Sequence, residues 1–289
     1  MKMSYFPGCS LKGTAKEYDI STRAVCNALG IELVELEDWN CCGATVIPSI
    51  DRTISLALAA RNFAIAEKDG FNIITPCSAC YSRFSIANET LLNNLKLMEK
   101  VNKALESAGL QYKGHITIRH LVDFIVNVFG LEKISEKITK SLKNLKISPY
   151  YGCLMTRPRT KVSFDSPENP QALDKLIITL GGVNFPSIHK ASCCGGAIMV
   201  TKEEAALKLT KEILVSIKEI GADCITTACP FCQMNLDAKQ AAVESKYNIK
   251  INLPVFYFTQ LIGLAIGLNP KDLGLDKNIV APEKILTSI

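Results

Sequence analysis

Apolar positions along this chain follow two alternating patterns. Short, nearly unbroken apolar strings are separated by longer stretches in which apolar residues recur every three or four positions. In the first half the order is "MKMSYF", a periodic stretch from Ala15 to Leu29 closed by Gly30, then "IELVEL". After these come "ISLALAARNFAIAEKD", closed by Gly70, and "FNIIT", which ends at Pro76-Cys77. This predicts strand, helix, strand, helix, strand, with each glycine acting as a helix stop. A fourth strand is expected in "ITIRHLVDFIV", beginning at His115 and ending ahead of His120. The second half repeats the order as "KISPYY", "PQALDKLIITLGG", "VNFPSI", "EEAALKLTKEILVSIKEIG" and "CITTA", with "VFYFTQLIGLA" as the fourth piece. Strands alternating with helices call for a parallel sheet with crossover helices.

The chain therefore reads as a duplicated α/β unit. Residues 1–145 form the first expected domain and residues 146–289 the second, related by a pseudo-twofold axis. Each should be a small, mostly parallel sheet flanked by helices. The first copy carries an extra polar helical stretch around Glu89 to Gly109. A Lys-rich helix from Leu131 to Lys146 is expected to link the halves, its mixed charges facing solvent. In the second copy the first helix starts late, after the irregular "TRPRTKVSFDSPENP".

Composition narrows the class. Of 289 residues, 48% are hydrophobic and 21% charged, the profile of a globular protein with a sizeable core. A formal charge of +5 is too weak to point to nucleic acid, but suits small anions or an acidic partner. No apolar run approaches the roughly 20 residues that span a membrane. "MKMSYFPGCS" lacks a basic region followed by an apolar core, so no export signal is expected and the cytoplasm is the expected compartment.

Twelve cysteines change the picture. Disulfides are not the default in a reducing compartment, where metal or redox roles dominate. Ten of the twelve fall into two matching sets: Cys9, Cys41, Cys42, Cys77 and Cys80, then Cys153, Cys193, Cys194, Cys229 and Cys232. In both sets 34 residues separate the adjacent pair from the Cys-x-x-Cys. Each group falls just beyond the C-terminal end of an expected strand, the edge where open α/β sheets bind ligands. Cys26 lies mid-helix and Cys224 opens its strand at the opposite edge; both are expected to be buried structural thiols.

Five converging thiols exceed the four ligands of one zinc ion. Adjacent cysteines fit different metals of a polynuclear centre better than one ion, and the glycine after each pair would let backbone approach it. Iron–sulfur clusters normally take four cysteines, so five imply an unusual cluster, or four ligands and a redox-active thiol. Paired structural zinc sites, a thioredoxin-like exchange protein and vicinal disulfides are the competing readings.

The two Cys…Cys-Cys-Gly…Cys-x-x-Cys patterns resemble the cysteine-rich CCG domain, and a chain that is little more than two such domains resembles the B subunit of heterodisulfide reductase. The resemblance implies reduction of the coenzyme M–coenzyme B mixed disulfide to two thiols. It also implies a non-cubane 4Fe-4S cluster held by each five-cysteine set, and partners in an FAD-containing A subunit and a ferredoxin-like C subunit, with a hydrogenase possible upstream. Related CCG proteins serve flavin dehydrogenases that pass electrons to quinone, and that alternative stays open, as does a zinc-stabilised scaffold. The implied substrate is polyanionic. Lys12, Arg157, Arg159, Lys161, His189 and Lys190, all near the cysteine loops, are the candidates to orient it. His120, at the same edge, is the candidate proton donor, with a core or capping histidine as the plainer alternative.

Overall fold

The computed structural model describes every residue except 46, 158–163 and 288. It contains two four-stranded sheets, each parallel throughout. The first has the order β2-β1-β3-β4, from β1 (Lys2–Tyr5), β2 (Glu32–Glu35), β3 (Ile73–Thr75) and β4 (Ile118–His120). The second repeats that order as β6-β5-β7-β8, from β5 (Lys146–Tyr150), β6 (Val183–Asn184), β7 (Cys224–Thr227) and β8 (Val255–Tyr257). Equivalent registers hold the equivalent residues: Thr75 pairs with His120 in one sheet, Thr227 with Tyr257 in the other.

The helices follow local chemistry. Asp51 caps the helix Arg52–Asp69 by accepting from the Ile54 amide at 2.9 Å, and Gly70 closes it at φ 75°. The polar stretch of the first half divides at Asn94, which caps the helix Leu95–Leu105.

Two expectations need correction. The linker is helical only over Leu131–Ser135. Beyond it the amides of Thr139 and Lys140 both donate to the Ala265 carbonyl, at 3.0 and 2.9 Å, and Leu142 is fully buried and bonds to the Leu180 carbonyl. Docking onto the second half thus overrides helical propensity. In "VNFPSI" only two residues form strand; Phe185 adds one more bond to Ile147, and Pro186, with no amide hydrogen, ends the ladder.

Three apolar clusters hold the molecule together. One is confined essentially to the first half, around Phe63, Ile73 and Phe84, and one to the second, around Leu214, Ile225 and Val255. The third runs through both halves, from Tyr18, Val25 and Leu121 to Leu173, Tyr257 and Leu261. Within it the Tyr18 and Tyr257 rings stack at 3.9 Å, and Ser21 and Thr259 share a 2.7 Å hydrogen bond. The two units share this core. No helix among the described residues is long and apolar enough to cross a membrane.

Candidate metal centres

In each unit the three cysteine groups follow the C-terminal ends of three strands. After β1 the chain turns directly into the short helix Gly8–Lys12, which carries Cys9. Cys41 and Cys42 occupy the loop after β2. Cys77 precedes the helix Ser78–Leu92 that follows β3, so Cys80 falls in its first turn. The second unit repeats this with Cys153 after β5, Cys193 and Cys194 after β6, and Cys229 and Cys232 bracketing the start of the helix Pro230–Gln233 after β7.

The second group encloses a cavity of about 80 Å³, walled by Cys153, Cys193, Cys194, Cys229, Cys232 and Ser78. Its Cys194 and Cys232 sulfurs lie 3.5 Å apart. Backbone amides aim at the sulfurs: Gly195 at Cys193 and Gly196 at Cys194, both at 3.4 Å, and in the first unit Gly43 at Cys41, at 3.5 Å. Such amides favour the thiolate form. Cys42 is pulled down to about 4, chiefly by hydrogen bonds from the thiols of Cys41 and Cys80, which are pushed up in turn. Likewise Cys193 falls to about 6 through the Cys153 thiol, and Cys229 to about 7 through Cys232. Each unit thus already favours the ionised sulfur that binds metal. Among the described residues no three of these donors close tightly enough to hold a single metal ion.

The glycine in each Cys-Cys-Gly serves differently from the expectation. Gly43 and Gly195 adopt φ 74° and 80°, and a Cβ on Gly195 would come within 2.8 Å of the Ala206 Cα, in the helix behind the loop. Besides Gly196, whose Cβ would lie 3.4 Å from the Cys194 sulfur, Gly8 and Gly152 face sulfur. A Cβ there would lie 3.0 Å from the Cys80 sulfur and 2.8 Å from the Cys232 sulfur. Their signal was in the sequence: each immediately precedes the first cysteine of its set. Cys26 and Cys224 are buried away from both groups, and burial pushes the Cys26 thiol up to about 12.

A third residue missed from sequence is Arg83, three positions after Cys80 on the same helix. Its Nε and one terminal nitrogen are buried without a hydrogen-bond partner. Its guanidinium interacts with the Cys42 sulfur and is opposed by Arg52. Two buried, unpartnered guanidinium nitrogens on the helix that carries Cys80 fit an anionic, thiolate-ligated group in that space. The sulfur-lined cavity of the second unit fits the same kind of group.

The expected basic residues are scattered. Lys12 pairs with Glu35 at 2.8 Å. Arg157 donates to the Pro167 carbonyl at 3.0 Å, and His189 pairs with the Ser192 hydroxyl at 3.2 Å. Arg159 and Lys161 lie outside the described residues. Lys190, expected to contact substrate, is instead a buried structural cation. Its ammonium bonds the Pro170 carbonyl at 2.7 Å and Asp174 at 3.3 Å, and Asp174 also accepts from Tyr151 and Asn184. Lys190→Met should therefore leave a buried carboxylate unpaired and cost about 3–5 kcal/mol. Denaturant unfolding would measure this, and a loss under about 1 kcal/mol would contradict the assignment.

His120 is wholly buried, and burial lowers its pKa to about 3. Nδ1 accepts from the Val122 amide at 3.1 Å, which leaves Nε2 protonated and facing the Ser78 hydroxyl at 3.2 Å. The ring is neutral at ordinary pH and is not itself a wall of the second unit's cavity, although Ser78 is.

The cysteine-rich domain (CCG) family matches twice, over residues 3–85 and 147–237. The chain belongs to this cysteine-rich CCG family. It is 33% identical over 291 residues to the B subunit of the ferredoxin/F(420)H(2)-dependent CoB-CoM heterodisulfide reductase of Methanosarcina acetivorans, covering 100% of this chain and 97% of that one. It is also 33% identical over 284 residues to the "8-methylmenaquinol:fumarate reductase membrane anchor subunit" of Wolinella succinogenes, covering 98% and 99%. A crystal structure of a hypothetical protein from Helicobacter pylori shares the fold, with a TM-score of 0.76 at 18% identity over 96% of this chain and 52% of that one.

Proposed function

We propose that the chain is the disulfide-reducing B-type subunit of a heterodisulfide reductase acting on the coenzyme M–coenzyme B mixed disulfide. The observation that carries this reading is the pair of five-cysteine groups, each at the C-terminal edge of its own parallel sheet. Cys9, Cys41, Cys42, Cys77 and Cys80 would hold one iron–sulfur cluster. Cys153, Cys193, Cys194, Cys229 and Cys232 would hold the other, and both would be non-cubane. When bound, the two clusters supply the two electrons that a disulfide needs to become two thiols.

The chain's own residues bind and insulate. The amides of Gly43, Gly195 and Gly196 hold negative sulfur in place. The small residues Gly8 and Gly152 leave room beside Cys80 and Cys232. Lys12, Arg157, Arg159, Lys161 and His189 remain the candidates to orient an anionic substrate. His120 would act on a departing thiolate only through Ser78, because its one free nitrogen faces that hydroxyl. The partners in this reading are an FAD-containing A subunit, a ferredoxin-like C subunit and a hydrogenase upstream, in the cytoplasm.

A second reading has its own support in the equal identity to the Wolinella protein. In it the same ten cysteines would pass electrons between a quinone pool and a flavin subunit. Anaerobic iron and sulfide analysis, with EPR before and after adding coenzyme M thiol, separates the possibilities. About eight iron per chain and a thiol-induced paramagnetic signal are expected. Iron without a response to thiol would favour the quinone-linked role, and zinc in place of iron would defeat both.

A further inference from the structure

Aligned on their Cys-x-x-Cys motifs, the two repeats differ in charge at the position three residues beyond the motif. Arg83 follows Cys80 by three residues; Asn235 follows Cys232 by three. Arg83 brings a positive charge whose buried Nε and terminal nitrogen have no partner. Asn235 brings none: its side-chain nitrogen donates to the Cys194 carbonyl at 2.7 Å, and its buried Oδ1 has no partner. We infer that Arg83 is the counter-cation of the group held by the first five cysteines, and that it makes that site easier to reduce than the second. The inference rests on the reading that both sites hold iron–sulfur clusters.

The physical argument is electrostatic. A cluster gains negative charge on reduction, so a fixed cation beside it stabilises the reduced form, and hydrogen bonds to its sulfurs act in the same direction. A guanidinium offers both, from a half-buried side chain whose field solvent screens only in part. It also explains why two guanidinium nitrogens of Arg83 are buried with no hydrogen-bond partner.

One opposing contact is visible. Ser78, from the first unit, lines the second unit's cavity, and its hydroxyl donates to the Ala228 carbonyl at 3.2 Å. Its counterpart in the second unit is Pro230, which has no hydroxyl to return the contact. That hydroxyl would bring only a neutral dipole to the second site. Charged donors are roughly twice as strong, so Arg83 sets the order. Electrons would then rest first at the group held by Cys9, Cys41, Cys42, Cys77 and Cys80.

The test is potentiometric reduction of the iron-loaded protein, followed by EPR, for the wild type and for Arg83→Gln, Arg83→Lys and Asn235→Arg. Cys42→Ser and Cys194→Ser assign each midpoint to its site. Two separated midpoints are expected in the wild type, the first-unit site being the more positive. Arg83→Gln should shift that midpoint to more negative potential and close or reverse the gap; Arg83→Lys should keep most of it. Asn235→Arg should move the second-unit midpoint upward. If Arg83→Gln empties the first site while Arg83→Lys fills it, the counter-cation role is equally supported. Unchanged midpoints at full iron content, or a shift confined to the second site, would overturn the inference alone. So would unchanged midpoints with a weakened response to thiol, which would reassign Arg83 to substrate. A wild type that binds no iron would overturn the proposed function and this inference together.

Discussion

Cys194→Ser is expected to remove about half of the chain's iron, from about eight to about four per chain, and nearly all of its turnover. Serine keeps the size and loses the soft, readily ionised sulfur that iron requires. Cys194 is a stringent choice because it is buried and central. Its sulfur faces Cys232 at 3.5 Å and takes the Gly196 amide at 3.4 Å. A two-electron reaction divided between two sites cannot proceed at half rate when one is lost. Cys26→Ser is the control. It buries a hydroxyl in an apolar helix face and should cost about 1–3 kcal/mol of stability while leaving the iron content whole. Iron analysis and thermal unfolding of the two variants would distinguish them. Equal iron loss in both would mean that the ten-cysteine assignment is wrong.

The second large effect is expected at Gly152. Gly152→Ala should empty the second site and destabilise the protein well beyond the cost of its backbone. Its φ of +67° alone costs a side chain about 1–2 kcal/mol. In addition, the new Cβ would sit 2.8 Å from the Cys232 sulfur, which must move and take its bonds with it. Gly221 provides the comparison: its φ is +80°, yet a Cβ there would meet nothing within 4 Å. Gly221→Ala should show the backbone penalty alone and full iron. The difference between the two unfolding free energies measures the collision, roughly 1–3 kcal/mol. Matching losses with matching iron would show that Gly152 is needed only for its turn.

Much of this architecture was legible in the chain. The strands were readable because parallel strands buried on both faces are written as short apolar runs, as in "FNIIT" and "CITTA". The helix stops at Gly30 and Gly70 were readable because both glycines sit at φ 75°. The ends of elements were less clear where distant contacts decide them, as at Thr139 and Lys140, held by the carbonyl of Ala265 far along the chain. Lys190 reads in the sequence as a substrate contact because nothing local announces Asp174 beneath it. Arg83 escaped attention because it lies on a helix after the cysteine motif, and its significance is an unmet need for a partner, which only burial reveals. Gly8 and Gly152 were visible in the repeat but were outweighed by the more conspicuous glycine after each cysteine pair.

The Tyr18 hydroxyl bonds the Pro76 carbonyl at 3.1 Å and the Ala228 carbonyl at 3.4 Å, and those two residues immediately precede Cys77 and Cys229. One phenol therefore pins both cysteine loops, and its ring is clamped against Tyr257. Among the described residues, this contact ties the two halves together at the roots of both sites. In the proposed reading, a molecule that bridges the two sites would have to match a span the fold has already set.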